Sequence, residues 1–474
     1  MKKDIFVSEE ELSKQKKYIE NIRLINEGKD KTACVVTYGC AQNETDSDKL
    51  YGMLELMGYS KTDDEKNADI VIFNTCSVRE NAEVKVYGKV GALKARKKKN
   101  PDMVVGICGC LMQQSHASSK IKKQFKFVDL VFGTHALYKF PELLLNVINN
   151  HERVFDAETE DGIICEGVPI QRPHSYKATI PIAYGCNNFC TYCVVPHTRG
   201  RERSRKSEDI INEIKNLCKN GLTEVTLVGQ NVNSYGNDND DDLDFPDLLT
   251  KISEIPEIRR IRFMTSHPKD ITDKLIDTIA GNEKICKFLH FPFQAGNSRV
   301  LKEMNRKYTR EDYLGLVDKI KAKIPDIALS ADVIVGFPGE TTEEFYDTVS
   351  LIEKVRFDTL FTFIYSPRKD TKAALMPDPL SYEEKLKNFN VLLETQNRIS
   401  KEINDTYLNK TFLILDEGAS KTNPDMRSGR CETNKIINYK PVSDVCEGDY
   451  VYVKVTECMT WSLNGVEVSK EGAV

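Results

Sequence analysis

No run of apolar residues in this 474-residue chain approaches the ~18 needed to cross a bilayer as a helix, so no membrane partner is expected. The opening stretch, MKKDIFVSEEELSKQKKYIE, is charged throughout and lacks the apolar core of a secretory signal. Charge of one sign is scarce as well. Lys and Arg total 67 against 72 Asp and Glu, a net of −5, which excludes bulk attraction to a polyanion and leaves a local basic patch as the only electrostatic route to nucleic acid. Fourteen cysteines are too sparse for a disulfide scaffold in a chain of this length. The expected compartment is therefore the reducing cytoplasm, where cysteines serve metals or catalysis. The length suggests about three domains, with ample chain to bury a core.

What is present is a cysteine triplet at the spacing C-x3-C-x2-C: Cys186, Cys190 and Cys193, in YGCNNFCTYCVVP. Three thiolates hold three irons of a [4Fe–4S] cube and leave the fourth iron without a protein ligand, whereas an electron-transfer cluster normally takes four. An open position on a metal marks a site that binds a small molecule. Two other readings stand beside this one. Cys190 and Cys193 alone form a C-x-x-C, the spacing of a redox dithiol. With His197 added, the same cysteines match a closed structural zinc site.

The chain organises into segments of different character. Residues 1–30 read as a polar, charged helix or a disordered arm. From residue 31 short apolar strands (31–37, 69–74, 103–107, 128–132) alternate with helices (46–57, 82–99), the pattern of a parallel α/β sheet. A cysteine follows three of those strands: Cys40, Cys76 and Cys110. Ligands of open α/β sheets bind beyond the carboxyl ends of the strands, so these three thiols are expected to converge as a second three-thiolate set. Free cysteine is also among the most buried residues, and Cys34 and Cys108, which lie within strands, illustrate that alternative.

A second α/β run begins near residue 175, with six strands at 179–184, 224–228, 260–265, 288–292, 329–336 and 359–365. Six βα units are too few for an eight-fold barrel and suit a partial one. The triplet follows its first strand, at the edge where barrel active sites lie. Polar residues near the strand ends (Gln230, Asn231, Ser266, Gln294 and Asp332, with Tyr192 inside the triplet) are candidate cofactor contacts, each with a turn or cap role as the alternative. Glu340, in GFPGETTEEF, reads first as part of a turn opening a helix. From about residue 406, short β segments (411–416, 435–439, 450–457) indicate a small barrel, carrying Arg427, Arg430 and Lys435 as a possible RNA-contacting set or an ordinary surface. Of the other charge runs, Lys94 and Arg96 to Lys99 read as a solvated helix end, 238–244 as a solvated acidic loop. The arginines of RGRERSR (199–205) sit beside the triplet and are placed to meet phosphate or carboxylate.

Taken together, TYGCAQNETDSDKL, NTCSVRENAEVKVYG, GICGCLMQ, YGCNNFCTYCVVPHTRGRERSR, LVGQNVNSYG, MTSHP, LKEMNRKYTRE and DVIVGFPGET resemble the methylthiotransferase family of radical S-adenosylmethionine (SAM) enzymes. The resemblance covers nearly all of the chain after residue 31. It implies a methylthiotransferase domain (31–150), a radical SAM domain (172–404) and a TRAM barrel (406–471). NTCSVRE, the GTH after the fourth strand and GRCETNKIINY resemble the tRNA branch, which acts at C2 of an N6-isopentenyl-adenosine beside the anticodon. The other branches act on threonylcarbamoyl-adenosine in tRNA or on a ribosomal protein. By resemblance, Cys186, Cys190 and Cys193 hold the SAM-cleaving cluster and Cys40, Cys76 and Cys110 an auxiliary one. No side chain is assigned as acid, base or nucleophile. The implied cofactors are two [4Fe–4S] clusters and SAM. The implied partners are a tRNA anticodon loop, a flavodoxin- or ferredoxin-like reductant and a sulfur donor. GCAQN, FQAGN and Cys431 depart from the family's commoner GCQMN, QSGS and Thr, and none of the three removes a cluster ligand.

Overall fold

The computed structural model describes residues 6–77, 80–157, 162–239, 242–421 and 423–469. Val78 and Arg79 of NTCSVRE, Asp240 and Asp241 of the acidic run, and the last residues of the assigned TRAM segment lie outside them.

Six parallel strands build the first sheet: β1 (Lys31–Thr37), β2 (Tyr59–Lys61), β3 (Ile70–Thr75), β4 (Val104–Gly109), β5 (Leu130–Phe132) and β6 (Val154–Asp156), in spatial order β2-β1-β3-β4-β5-β6. Central β3 and β4 are buried along their whole length, as a sheet covered on both faces requires. One face packs Leu50, Leu54, Phe140 and Leu144 against Ile70, Ile72 and Phe132. The other packs Val86, Val90 and Ile121 against Val71, Phe73, Val105 and Ile107. Edge strands β2 and β6 escape the sequence reading because three residues are too short for a pattern. The N-terminal segment is no free arm. Glu9–Asn26 is a helix capped by the Ser8 side chain. It buries Ile19 and Ile22 in this core, and Gln15 donates to Glu142. The helix expected over 82–99 is two, Glu80–Ala92 and Lys94–Lys99.

All six expected strands of the second unit form. β7 (Lys177–Pro181), β10 (Glu224–Val228) and β11 (Arg260–Phe263) make one parallel trio. β12 (Phe288–His290), β13 (Ala328–Val335) and β14 (Thr359–Ile364) make another. The bridge Ile261↔Ile285 joins the trios. The wall is open between β7 and β14, and helices cover its outside, three of them opened by capping boxes at Thr309, Thr341 and Ser381. A small antiparallel ribbon, β8 (Ala183–Tyr184) with β9 (Arg203–Ser204), clamps the two ends of the cysteine loop.

The third unit is a closed five-stranded barrel: β15 (Thr411–Ala419), β16 (Arg427–Arg430), β17 (Ile436–Lys440), β18 (Tyr450–Cys458) and β19 (Leu463–Glu467). Polar β16 (RSGR) and β19 (LNGVE) carry no strand signature. This barrel sits against the starts of the central strands. Arg260 and Arg262 donate to the carbonyls of Arg430 and Cys431, at 2.9 and 2.8 Å. Lys177 pairs with Glu417 and Lys435 with Asp358. The cysteine loop is at the opposite ends of those strands. No helix among the described residues is long and apolar enough to cross a membrane.

Candidate metal centres

The triplet loop is held from several sides. Gly185, at φ +77°, begins it; a side chain there would meet the carbonyl of Arg201 at 2.1 Å. The Gly185 amide donates to Gln230 Oε1, and the Cys186 amide donates to Gly200 O at 3.2 Å. Asn305 donates to the carbonyls of Asn188 and Phe189, 3.3 and 2.9 Å. Arg306 Nη1 approaches Cys190 Sγ at 3.5 Å, and the Val195 amide approaches Cys193 Sγ at the same distance. Such N–H donors lower the charge on a thiolate and fix its direction. Arg306 and Asn305 belong to LKEMNRKYTRE, yet nothing in their spacing reveals this role.

The other three cysteines each stand just beyond a strand of the first sheet. Cys40 stands at the N-cap position of the helix Ala41–Leu56, Cys76 follows β3, and Cys110 follows β4 and opens a 3-10 turn. Asn43, fully buried, organises the three ends. Its Nδ2 donates to Asn74 Oδ1 (3.1 Å) and Thr75 O (3.0 Å), and its Oδ1 faces Cys40 Sγ (3.5 Å) and Cys110 Sγ (4.0 Å). Asn74 in turn donates to Asn43 O and Ser47 Oγ. Gly109, at φ +93°, leaves room for Asn74 and the Thr75 backbone, which a side chain would meet at 2.5 Å.

Both sets lie on one interface. The helix Val195–Thr198, next to Cys193, packs on the 3-10 turn that Cys110 opens, and Thr134 Oγ1 donates to Thr198 O at 2.8 Å. Arg199, the first arginine of RGRERSR, crosses from one set to the other. Its Nε donates to Cys110 Sγ at 3.2 Å, and its Nη2 to Asp46 Oδ2 at 2.8 Å and Asn43 Oδ1 at 3.3 Å. Arg205 meets carboxylates too, Glu166 and Glu213, whereas Arg203 donates to the carbonyls of Arg199 and Arg201.

Each set supplies three thiol donors, the number a cube with one open iron takes. Burial pushes the Cys193 and Cys110 thiols up to about 12, with the neighbouring cysteines adding to the rise; burial likewise raises Cys186. Bare, these thiols keep their protons, and only a strongly cationic group displaces them. Gln42 Oε1 and Ser77 Oγ, each two residues or fewer from a second-set cysteine, are buried without a hydrogen-bond partner. Among the described residues no three His, Cys, Asp or Glu side chains converge on the position of one metal ion, and His197 is exposed. A mononuclear Cys3His zinc site needs that convergence; a cube, which takes its three thiolates on three different irons, does not.

The six candidate cofactor contacts divide. Gln230 holds Gly185, and Asn231 is consumed by its own loop, bonded to Ser234, Asp270 and the His267 amide. A turn role of this kind is the alternative that the sequence allows each of these candidates. Ser266 keeps a buried, unpartnered Oγ. Gln294 has φ +70°, and its amide donates to Asp332 O. The Asp332 carboxylate stands 3.6 Å from His290 Nε2, and Tyr192 packs half-buried on the central core. Burial and then Arg306 push His267 down to about 2, leaving a neutral ring whose Nδ1 accepts the Lys269 amide.

On the small barrel Arg427 pairs with Asp416, Arg430 with Glu417 and Lys435 with Asp358, which ties all three into the barrel and its seat. Arg96 and Lys97 likewise hold backbone carbonyls, and only Lys94, Lys98 and Lys99 of that block are exposed.

Residues 180–352 match the radical SAM superfamily, and residues 32–133 match a family described as uncharacterized protein family UPF0004. The chain is 52% identical over 470 residues to a tRNA-2-methylthio-N(6)-dimethylallyladenosine synthase of Acetivibrio thermocellus, covering 98% of each chain. It is 50% identical over 474 residues to the enzyme of that name from Clostridioides difficile, covering 99% of each. Among solved structures, a radical SAM methyltransferase from Kitasatospora setae with cobalamin and a [4Fe-4S] cluster bound aligns at TM-score 0.53 and 14% identity, over 73% of this chain and 74% of that one. At that identity the likeness is one of fold.

Proposed function

This chain belongs to the family of tRNA-2-methylthio-N(6)-dimethylallyladenosine synthases, and we propose that it attaches a methylthio group to an N6-dimethylallyl-adenosine of a tRNA anticodon loop. Two [4Fe–4S] clusters and SAM, when bound, supply what no side chain can: an electron, a radical and a sulfur for an unactivated aromatic C–H. Cys186, Cys190 and Cys193 hold the SAM-cleaving cluster, and Cys40, Cys76 and Cys110 the auxiliary one. The observation that carries this reading is the meeting of two three-cysteine sets at one interface, with Arg199 touching Cys110 from the loop of the other set.

The remaining residues bind, orient and exclude water. Arg306, Asn305 and Gln230 keep the first loop in one shape. Asn43 and Asn74 do the same for the three strand ends. Ser266, Gln294, Asp332 and Tyr192 line the place for SAM, while Asn231 sets the turn beneath it. No side chain is assigned as acid or base. The adenine has to leave its stack to reach the site, which a single-stranded loop permits cheaply. A flavodoxin- or ferredoxin-like protein supplies electrons, and a separate donor renews the sulfur.

Anaerobic reconstitution of the wild type and of a Cys186/Cys190/Cys193→Ala variant tests the assignment. About eight irons falling to about four is the expected result, since each cube carries four. Zinc without sulfide, or a single cluster, overturns it. Nucleoside analysis of tRNA treated with the reconstituted enzyme is expected to show the 2-methylthio derivative only on dimethylallylated adenosine.

A further inference from the structure

β14 is the last strand of the open barrel, and its burial alternates strictly. Leu360 faces the helical layer. Phe361 and Phe363 face the barrel interior, yet are 45% and 43% exposed. Parallel pairing sets them beside named neighbours on that inner face: Asp332↔Phe361 and Ile334↔Phe363. The next strand brings His290 alongside Ser330. His290 bonds Ser330 Oγ at 2.9 Å, and its ring meets Phe361 edge-on, with centroids 5.8 Å apart. Two phenyl rings left uncovered on an inner barrel wall are not explained by folding; burying them would stabilise the protein.

We propose that Phe361 and Phe363 are specificity-determining residues that receive the dimethylallyl-bearing adenine of the tRNA. This rests on the function proposed above and names what selects its substrate. The two phenyl rings, with Ile334 beside Phe363, suit both the π-face of a flipped base and an uncharged branched hydrocarbon. It is continuous with the Asp332 and Gln294 positions assigned to SAM, since the Gln294 amide bonds Asp332 O. It also excludes. A threonylcarbamoyl group brings its own carboxylate to a surface that offers phenyl rings and the Asp332 carboxylate, so a like charge would be desolvated beside a like charge. The same surface thus accepts one modified adenosine and rejects the other.

The test compares anticodon stem-loop RNAs that differ only in carrying N6-dimethylallyl-adenine or plain adenine, binding to the reconstituted full-length protein. The wild type is expected to prefer the prenylated RNA by roughly tenfold or more, the scale of discrimination an apolar pocket gives. Phe361→Ser/Phe363→Ser is expected to bring the two Kd values together, chiefly by weakening the prenylated RNA. Phe361→Leu/Phe363→Leu is expected to restore most of the preference. Equal weakening of both RNAs, or a preference that survives the serine variant, overturns the inference. These outcomes are read in a preparation whose wild type makes the methylthio product. Absence of that product in the wild type would instead sink the function itself.

Discussion

Replacing Arg199 with methionine removes a charge and keeps most of the side chain's bulk. Its guanidinium and the Asp46 carboxylate are 6% and 9% exposed and 2.8 Å apart. Removing one partner of a buried pair costs about 3–5 kcal/mol, because the other is left as an uncompensated charge. The lost contacts to Cys110 Sγ and Asn43 overlap with that figure, since the same side chain makes them. Urea unfolding of the full-length apoprotein should show a loss of about 3–5 kcal/mol for Arg199→Met. Asp46→Asn should also destabilise, by stranding the guanidinium. The double variant should lose less than the sum, by about 0.5–3 kcal/mol, as expected for residues in one network. An Arg199→Met protein within about 0.5 kcal/mol of wild type, the range of ordinary surface changes, or strictly additive losses, would refute the idea that this pair ties the two cysteine sets together.

Three other perturbations have defined outcomes. Burial raises Glu340 to about 7, against the helping bond from the Gly336 amide. The native state thus binds a proton that the unfolded chain releases near 4.5, and stability is full below that pH and falls by about 3 kcal/mol as pH rises to 7. Glu340→Gln should flatten that part of a stability–pH curve. Gly109→Ala places a side chain against Asn74 and the Thr75 backbone at φ +93°. It should halve the iron of the reconstituted protein by costing the auxiliary cluster, as iron and sulfide analysis will read. Arg427→Met leaves Asp416, wholly buried and bonded to Tyr439, without its cation. Barrel stability should fall by about 3–5 kcal/mol, while the salt dependence of RNA binding, which counts phosphate contacts, stays unchanged.

Much of this molecule is legible in one dimension where periodicity is strong. The strands at 31–37 and 224–228 match residue for residue, because apolar runs define them locally. Strands β2, β6, β16 and β19 are not legible, since three to five mixed residues become strands only when a neighbour completes their hydrogen bonds. Residues 1–30 read as a polar helix or a disordered arm because the few buried residues are scattered among charges. Only the cluster that holds Ile19 and Ile22 together with Leu144 and Tyr51 makes the helix Glu9–Asn26 part of a core. The carboxylate partners of Arg427, Arg430 and Lys435 are not legible in the sequence because they lie up to 77 residues away, as Lys435 and Asp358 show.

The six cysteines were singled out from sequence alone: a short loop spacing for one set and positions just past three strand ends for the other. Both are local properties, set by chain geometry and by the rule that parallel strands end on one edge. Tertiary structure decided everything that depends on meeting. It placed the two sets on one interface, brought Arg199 onto Cys110 across 89 residues, consumed Gln230 and Asn231 in turns, seated the small barrel on the far strand ends, and left Phe361 and Phe363 bare inside the open wall. Such pairings arise only once long loops have closed, because contacts between residues distant in the chain are set by topology and burial and leave no periodic mark along the sequence.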